Sequence, residues 1–136
     1  MPFVLDASTA ISWYFPDEEH SDALAAWERL RQDDALVPAH WWFEVRNTML
    51  IGERRKRSSE NQTFDFVARL ARTRIVETPR PDDPDIFVLA RRHRLTFYDA
   101  AYLELAQRER IALATLDNAL AAAACAEGVA LVGSAG

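Results

Sequence analysis

Apolar positions along the chain fall into short runs that alternate with longer stretches of helical spacing. PFVLD is a short apolar strand ending at Asp6, and ASTAISWYF behind it reads as a short helix stopped by Pro16. From Asp17 onward, His20, Ala23, Leu24, Trp27 and Leu30 have the spacing of an amphipathic helix. ALVP follows as a second strand, then a long helix from about Ala39 to Arg57. Ser59 and Gln62 have capping-box spacing and open a helix over roughly Glu60 to Arg72. RIVETP reads as a third strand, broken by Pro79 and Pro81. Asp83 before Pro84 is an N-cap followed by proline in the first turn, starting a helix that runs to about His93. TFYDAAYLELA gives the next helix, and ALAT, from Ala112 to Thr115, a fourth strand. DNALAAAACAE is a helix closed by Gly128, with VALV as a last strand. Short, fully apolar strands between helices predict an α/β fold with a mostly parallel central sheet flanked by helices.

In open parallel sheets, sites form at the carboxyl ends of strands. Asp6 ends the first strand and Asp117 sits just beyond the fourth. Glu44 lies among Trp41, Trp42, Phe43 and Val45, sharing a helix face with Asn47 and Ile51, so an acid and an amide are expected to look inward together. Asp99 shares a face with Leu103 and Ala106 at spacings i, i+4 and i+7. Two readings stand for these acids. Asp99 can complete a capping box with Thr96 near the positive end of its helix, and Glu44 can pair with a buried arginine such as Arg46 or Arg69. Alternatively the four acids converge. Two carboxylates ~4 Å apart repel by about 4 kcal/mol at an effective dielectric near 20, so such a cluster needs protons, cationic side chains or metal ions. An all-oxygen set suits Mg²⁺ or Mn²⁺. Ser8, Thr115 and Asn47 could orient ligands or water around it.

Composition narrows the choice. The chain has 136 residues, which suits one compact domain over residues 1–136. No apolar run reaches the ~20 residues of a membrane span and no signal segment opens the chain, so a cytoplasmic protein is expected. Cys125 is the single cysteine, which excludes an internal disulfide, and its alanine-rich setting predicts burial. His20, His40 and His93 have no metal-binding spacing and read as surface or structural. Net charge is −5, yet GERRKRSS, from Gly52 to Ser59, holds four consecutive cations, and ARRHR, from Ala90 to Arg94, holds three arginines. These are either solvated helix ends or phosphate contacts.

LDAS, VPAHWWFEVRNTML, LTFYDAAYLELA and IALATLD, in that order and each centred on its acid, resemble the motifs of PIN-domain ribonucleases, above all the VapC toxins of toxin–antitoxin pairs. The resemblance covers essentially the whole chain. It implies a Mg²⁺- or Mn²⁺-dependent endoribonuclease whose acidic quartet maps onto Asp6, Glu44, Asp99 and Asp117, with Ser8, Asn47 and Thr115 around it. Many relatives carry a further acid after the last one, whereas Asn118 and Ala119 stand here, so one ion held tightly and a second arriving with RNA is the expectation. The resemblance also implies an RNA substrate, a homodimer and a VapB-type antitoxin that places a basic side chain in the acidic site. Trp13, Tyr14 and Phe15 are candidates for the antitoxin groove. Two rival readings stand beside it. An aspartyl phosphatase usually needs an acid two residues after Asp6, where Ser8 stands, and Lys56 on a basic helix end is the only lysine. A catalytically silent PIN module that binds RNA or a protein is the other.

Overall fold

The computed structural model describes residues 1–133. The elements run β1 (Phe3–Leu5), α1 (Ala7–Tyr14), α2 (Ser21–Arg29), β2 (Ala35–Val37), α3 (His40–Arg54), α4 (Glu60–Leu70), β3 (Ile75–Glu77), α5 (Asp83–His93), α6 (Phe97–Glu109), β4 (Leu113–Ala114) and α7 (Asn118–Ala126). All strand pairs are parallel, in the order β3-β2-β1-β4. β1 is central, and Phe3, Val4 and Leu5 are each fully buried, which is why this strand is apolar without alternation. Its register sets Leu5 against Ala114, so the chain leaves β1 and β4 side by side at the same end of the sheet.

Sequence and structure agree on the order and type of the main elements, and they differ in detail for physical reasons. Ser59 and Gln62 exchange both capping-box bonds. Thr96 makes half of one, accepting the Asp99 N–H at 3.1 Å. Asp82, rather than Asp83, is the residue flanking α5, with Pro84 inside the first turn. The VALV segment is no strand: it meets the sheet at one parallel bridge, Leu113 to Leu131, because β4 has two residues and offers no further length to pair. Leu24 is 58% exposed; the inward stripe of α2 is Ala23, Ala26 and the flanking Leu30. Cys125 is exposed rather than buried, since α7 turns Leu120, Ala123 and Ala124 inward. Among the described residues, no helix is long and apolar enough to cross a membrane.

Candidate active site

Parallel pairing of β1 with β4 builds the centre. Asp6, the first residue after β1, has its N–H bonded to the carbonyl of Ala114, which brings Thr115 and Asp117 beside it. The Asp6 side chain is 3% exposed. Its Oδ2 accepts from Ser8 Oγ at 2.7 Å and from Thr115 Oγ1 at 2.6 Å. Ser8 Oγ in turn accepts the Leu116 N–H at 3.0 Å, and Thr115 Oγ1 accepts the Asp117 N–H at 3.1 Å. Asp117 Oδ1 caps α7 by accepting the Leu120 N–H at 2.9 Å. The two hydroxyls therefore tie the loops after β1 and β4 into one network around one carboxylate.

Helices α3 and α6 supply the other side. Glu44 Oε1 accepts from the Tyr102 hydroxyl at 2.8 Å and lies 3.2 Å from His40 Nε2, one helical turn earlier. Tyr102 is fully buried, and the His40 ring packs against the rings of Tyr98 and Tyr102. Asp99, half-buried in the first turn of α6, precedes Tyr102 by three residues and shares its face.

The charges feel one another. Burial pushes the Asp6 carboxyl above the usual aspartate range against the pull of its hydroxyl donors, and the Asp117 charge adds to that push. Glu44 is raised by burial and then by Asp6 and Asp99. Asp99 is raised by burial and then by Asp6 and Asp117. Burial and the charges of Asp6 and Glu44 keep the Tyr102 hydroxyl protonated, as a donor. Burial lowers the His40 pKa, against a hydrogen bond to the Tyr98 backbone. Asp6, Asp99 and Asp117 have no lysine or arginine ion-pair partner among the described residues.

The acids supply only oxygen, with surplus negative charge and no lysine or arginine among the described residues to neutralise it, which matches the chemistry of a hard divalent cation. As the side chains stand, however, no three His, Cys, Asp or Glu among the described residues are arranged to hold a metal ion. Binding one would require side-chain rearrangement.

Several sequence expectations need correction. Asn47 is exposed and does not look inward with Glu44. Glu44 accepts from Tyr102 and only neighbours His40, whose Nε2 makes no hydrogen bond, whereas Arg46 lies over the Trp42 ring and Arg69 over that of Trp27. Of the two readings for the histidines, His40 takes the structural one, its ring packed on Tyr98 and Tyr102 beside Glu44. Tyr14 is buried, its hydroxyl bonded to Thr63 at 2.8 Å, and it is not on the wall of the neighbouring cleft. Trp13, Phe15 and Trp27 do line a cleft of about 230 Å³ between α1 and α2, with Glu18, Glu19 and His20 also on its wall. Tyr102 and the buried Glu104, bonded to Arg108 at 2.7 Å, were not singled out. For Glu104 the i, i+4 pairing was a usable signal.

Comparison with known proteins gives a consistent picture. The family model described as "PIN domain" matches residues 3–125. Ribonuclease VapC3 of Pyrobaculum aerophilum is 32% identical over 124 residues, covering 89% of this chain and 93% of that protein. The crystal structure of PAE2754 from the same organism superposes with a TM-score of 0.68 at 19% identity, covering 90% of this chain and 84% of the other. A toxin–antitoxin complex from Klebsiella pneumoniae gives 0.58 at 19% identity, over 84% and 85%. These two structural likenesses speak to the fold.

Proposed function

Because the chain belongs to the PIN-domain family, we propose that it is a VapC-type endoribonuclease, the toxin of a toxin–antitoxin pair, which hydrolyses RNA phosphodiester bonds with Mg²⁺ or Mn²⁺. The observation that carries this reading is the group of four acids that includes Asp6, three of them with raised pKa values and none with an arginine or lysine partner among the described residues. Asp6, Glu44, Asp99 and Asp117 are the proposed ligands. A hard divalent cation held there supplies the positive charge that activates water and offsets charge building on the scissile phosphate. Ser8 and Thr115 fix the Asp6 carboxylate through Oδ2, and Tyr102 fixes Glu44 through Oε1. Asn47, on the exposed side of α3, is placed to meet substrate rather than a ligand.

The name of the curated relative and the toxin–antitoxin complex among the similar folds support a ribonuclease with an antitoxin partner. We assign the antitoxin to the Trp13–Phe15–Trp27 cleft, whose aromatic wall and Glu19 suit a partner with apolar and basic side chains, Glu18 being paired with Arg57 and Arg69 also standing on the wall. A homodimer and a cytoplasmic location belong to the same reading. A silent RNA- or protein-binding module is the second reading, favoured by the lack of three side chains already arranged around a cation.

The test is cleavage of a labelled panel of structured RNAs by purified protein and by Asp99→Asn, in Mg²⁺, Mn²⁺ or EDTA, with metal binding measured separately. The nuclease reading expects metal-dependent cutting that Asp99→Asn abolishes. Neither cutting nor metal binding would move the assignment to the silent module.

A further inference from the structure

Packing places the His40 ring and leaves one of its nitrogens over. His40 opens α3 one turn before Glu44. Its ring stands edge-on to Tyr102, with centroids 4.9 Å apart, and tilted against Tyr98 at 5.3 Å. Four buried side-chain atoms have no hydrogen-bond partner among the described residues: Thr9 Oγ1, His40 Nε2, Trp41 Nε1 and Ser58 Oγ. A buried polar atom without a partner is costly, so one that persists beside a charged centre calls for a ligand or a chemical role. Of these four, only the imidazole nitrogen is a usual metal ligand, since an indole nitrogen can only donate.

The tautomer follows from the contacts. The ring's other polar contact is a hydrogen bond to the Tyr98 backbone, and with Nε2 unpartnered it is Nδ1 that donates it. The lone pair therefore sits on Nε2. Metal-binding histidines are commonly held in this way, by a backbone carbonyl on the second nitrogen. Nε2 lies 3.2 Å from Glu44 Oε1 with no hydrogen bond between them. A nitrogen lone pair and a carboxylate oxygen that close repel unless a positive charge meets both. Donors about 2.1 Å from an ion and at right angles to each other are about 3.0 Å apart. The observed separation is therefore close to that of two neighbouring ligands on one six-coordinate ion. Glu44 also feels the charges of Asp6 and Asp99, which makes this pair part of the acidic centre.

We infer that His40 Nε2 joins Glu44 Oε1 as a ligand of the cation, giving the centre one nitrogen donor and a preference for Mn²⁺ over Mg²⁺. Imidazole suits first-row transition ions, whereas Mg²⁺ favours oxygen throughout. The inference rests on the metal-dependent reading and narrows the identity of its ion. The other positions fall to the remaining acids and to water, after the side-chain rearrangement that the cluster needs.

Electron spin-echo envelope modulation of Mn²⁺ bound to the tag-free, metal-stripped protein reads ligating nitrogen directly. The parent protein should show nitrogen modulation, and labelling its histidines with the heavier nitrogen isotope should alter it, which keeps the test independent of any variant's folding. His40→Phe keeps a ring against Tyr98 and Tyr102 and removes both nitrogens. It should abolish the signal and weaken Mn²⁺ binding in calorimetry by about tenfold or more, the range over which even the outer partners of a ligand act. The loss for Mg²⁺ should be smaller. His20→Gln, on the wall of the α1–α2 cleft, should change neither. The inference is overturned if bound Mn²⁺ shows no nitrogen modulation, if the modulation survives His40→Phe, or if Mn²⁺ and Mg²⁺ lose affinity equally. Each of those results leaves metal-dependent cleavage standing. No Mn²⁺ binding by the parent protein would overturn both readings. Modulation that His40→Phe removes, with no RNA cut in any metal, would sink the nuclease reading and uphold this one.

Discussion

Removing one oxygen, by Tyr102→Phe, tests how the site is held. The Tyr102 ring is fully buried in the core, so phenylalanine keeps the packing and deletes the donor to Glu44. Hydrogen bonds to charged groups are worth about 1.5–3 kcal/mol. The Glu44 side chain is 39% exposed, and water can replace part of the loss, so the lower end applies, about 1.5 kcal/mol. For a chain of 136 residues the unfolding entropy is about 0.29 kcal/mol/K, which turns that loss into a Tm lower by roughly 5 °C. The loss should depend on pH. The Tyr102 hydroxyl lowers the pKa of Glu44, which burial raises overall, so its full worth is realised only when Glu44 is ionised. The Tm difference should be largest near neutral pH and shrink as pH falls through the Glu44 pKa. Differential scanning calorimetry of metal-free protein at pH 7.5 and at about pH 4 measures both. A Tm loss equal at the two pH values would refute the reasoning, because Tyr102 would then act by packing alone.

Asp99→Asn should raise the Tm of metal-free protein near neutral pH. Its raised carboxyl gives stability that is present in acid and lost as pH rises through the folded pKa, so the gain should fade on acidification, as thermal melts across pH would show. Glu127 behaves oppositely, since His93, Arg92 and Gln107 hold its carboxyl down to about 2. That stability is present above its ordinary pKa of about 4.5 and lost toward pH 2, so Glu127→Gln should lower urea midpoints at pH 7 and converge with the parent protein in strong acid. Gly52→Ala would set a Cβ 2.9 Å from the Phe15 ring and 3.0 Å from Ser58 Oγ. Overpacking of this kind costs about 1–3 kcal/mol, against a helix-propensity gain of about 1 kcal/mol, so a net loss of about 1 kcal/mol is expected in urea denaturation.

Elements built from local pattern were legible in the sequence. β1 is an unbroken apolar run because both of its faces are covered, and the Ser59–Gln62 cap is a local signal with a local cause. The rest depended on contacts that leave no local trace. Tyr102 reaches Glu44 across 58 positions, and an aromatic at helical spacing looks the same whether or not its hydroxyl has a partner. His40 became a site residue because it lies one turn before Glu44 and under Tyr102. Asn47 was misjudged by geometry: three residues along a helix leave it about 60° from Glu44, enough to leave the buried face. The exposure of Cys125 is not legible locally, because an alanine-rich helix has no polar face to fix its rotation. Asp6 could be picked out by position alone, as an acid ending an apolar strand.

The bond from Thr115 to Asp6 joins residues 109 positions apart, and it sits where the central strand meets an outer one. The ribosome makes that central strand more than a hundred residues before its β4 neighbour. Until residues 113–117 are synthesised, β1 keeps one apolar edge open and Asp6 has Ser8 as a hydroxyl donor but not Thr115. A nascent chain is therefore both vulnerable to wrong pairing at that edge and without its acidic centre. Long-range parallel closure of this kind is also slow, so the centre should form late, with the closing of the sheet.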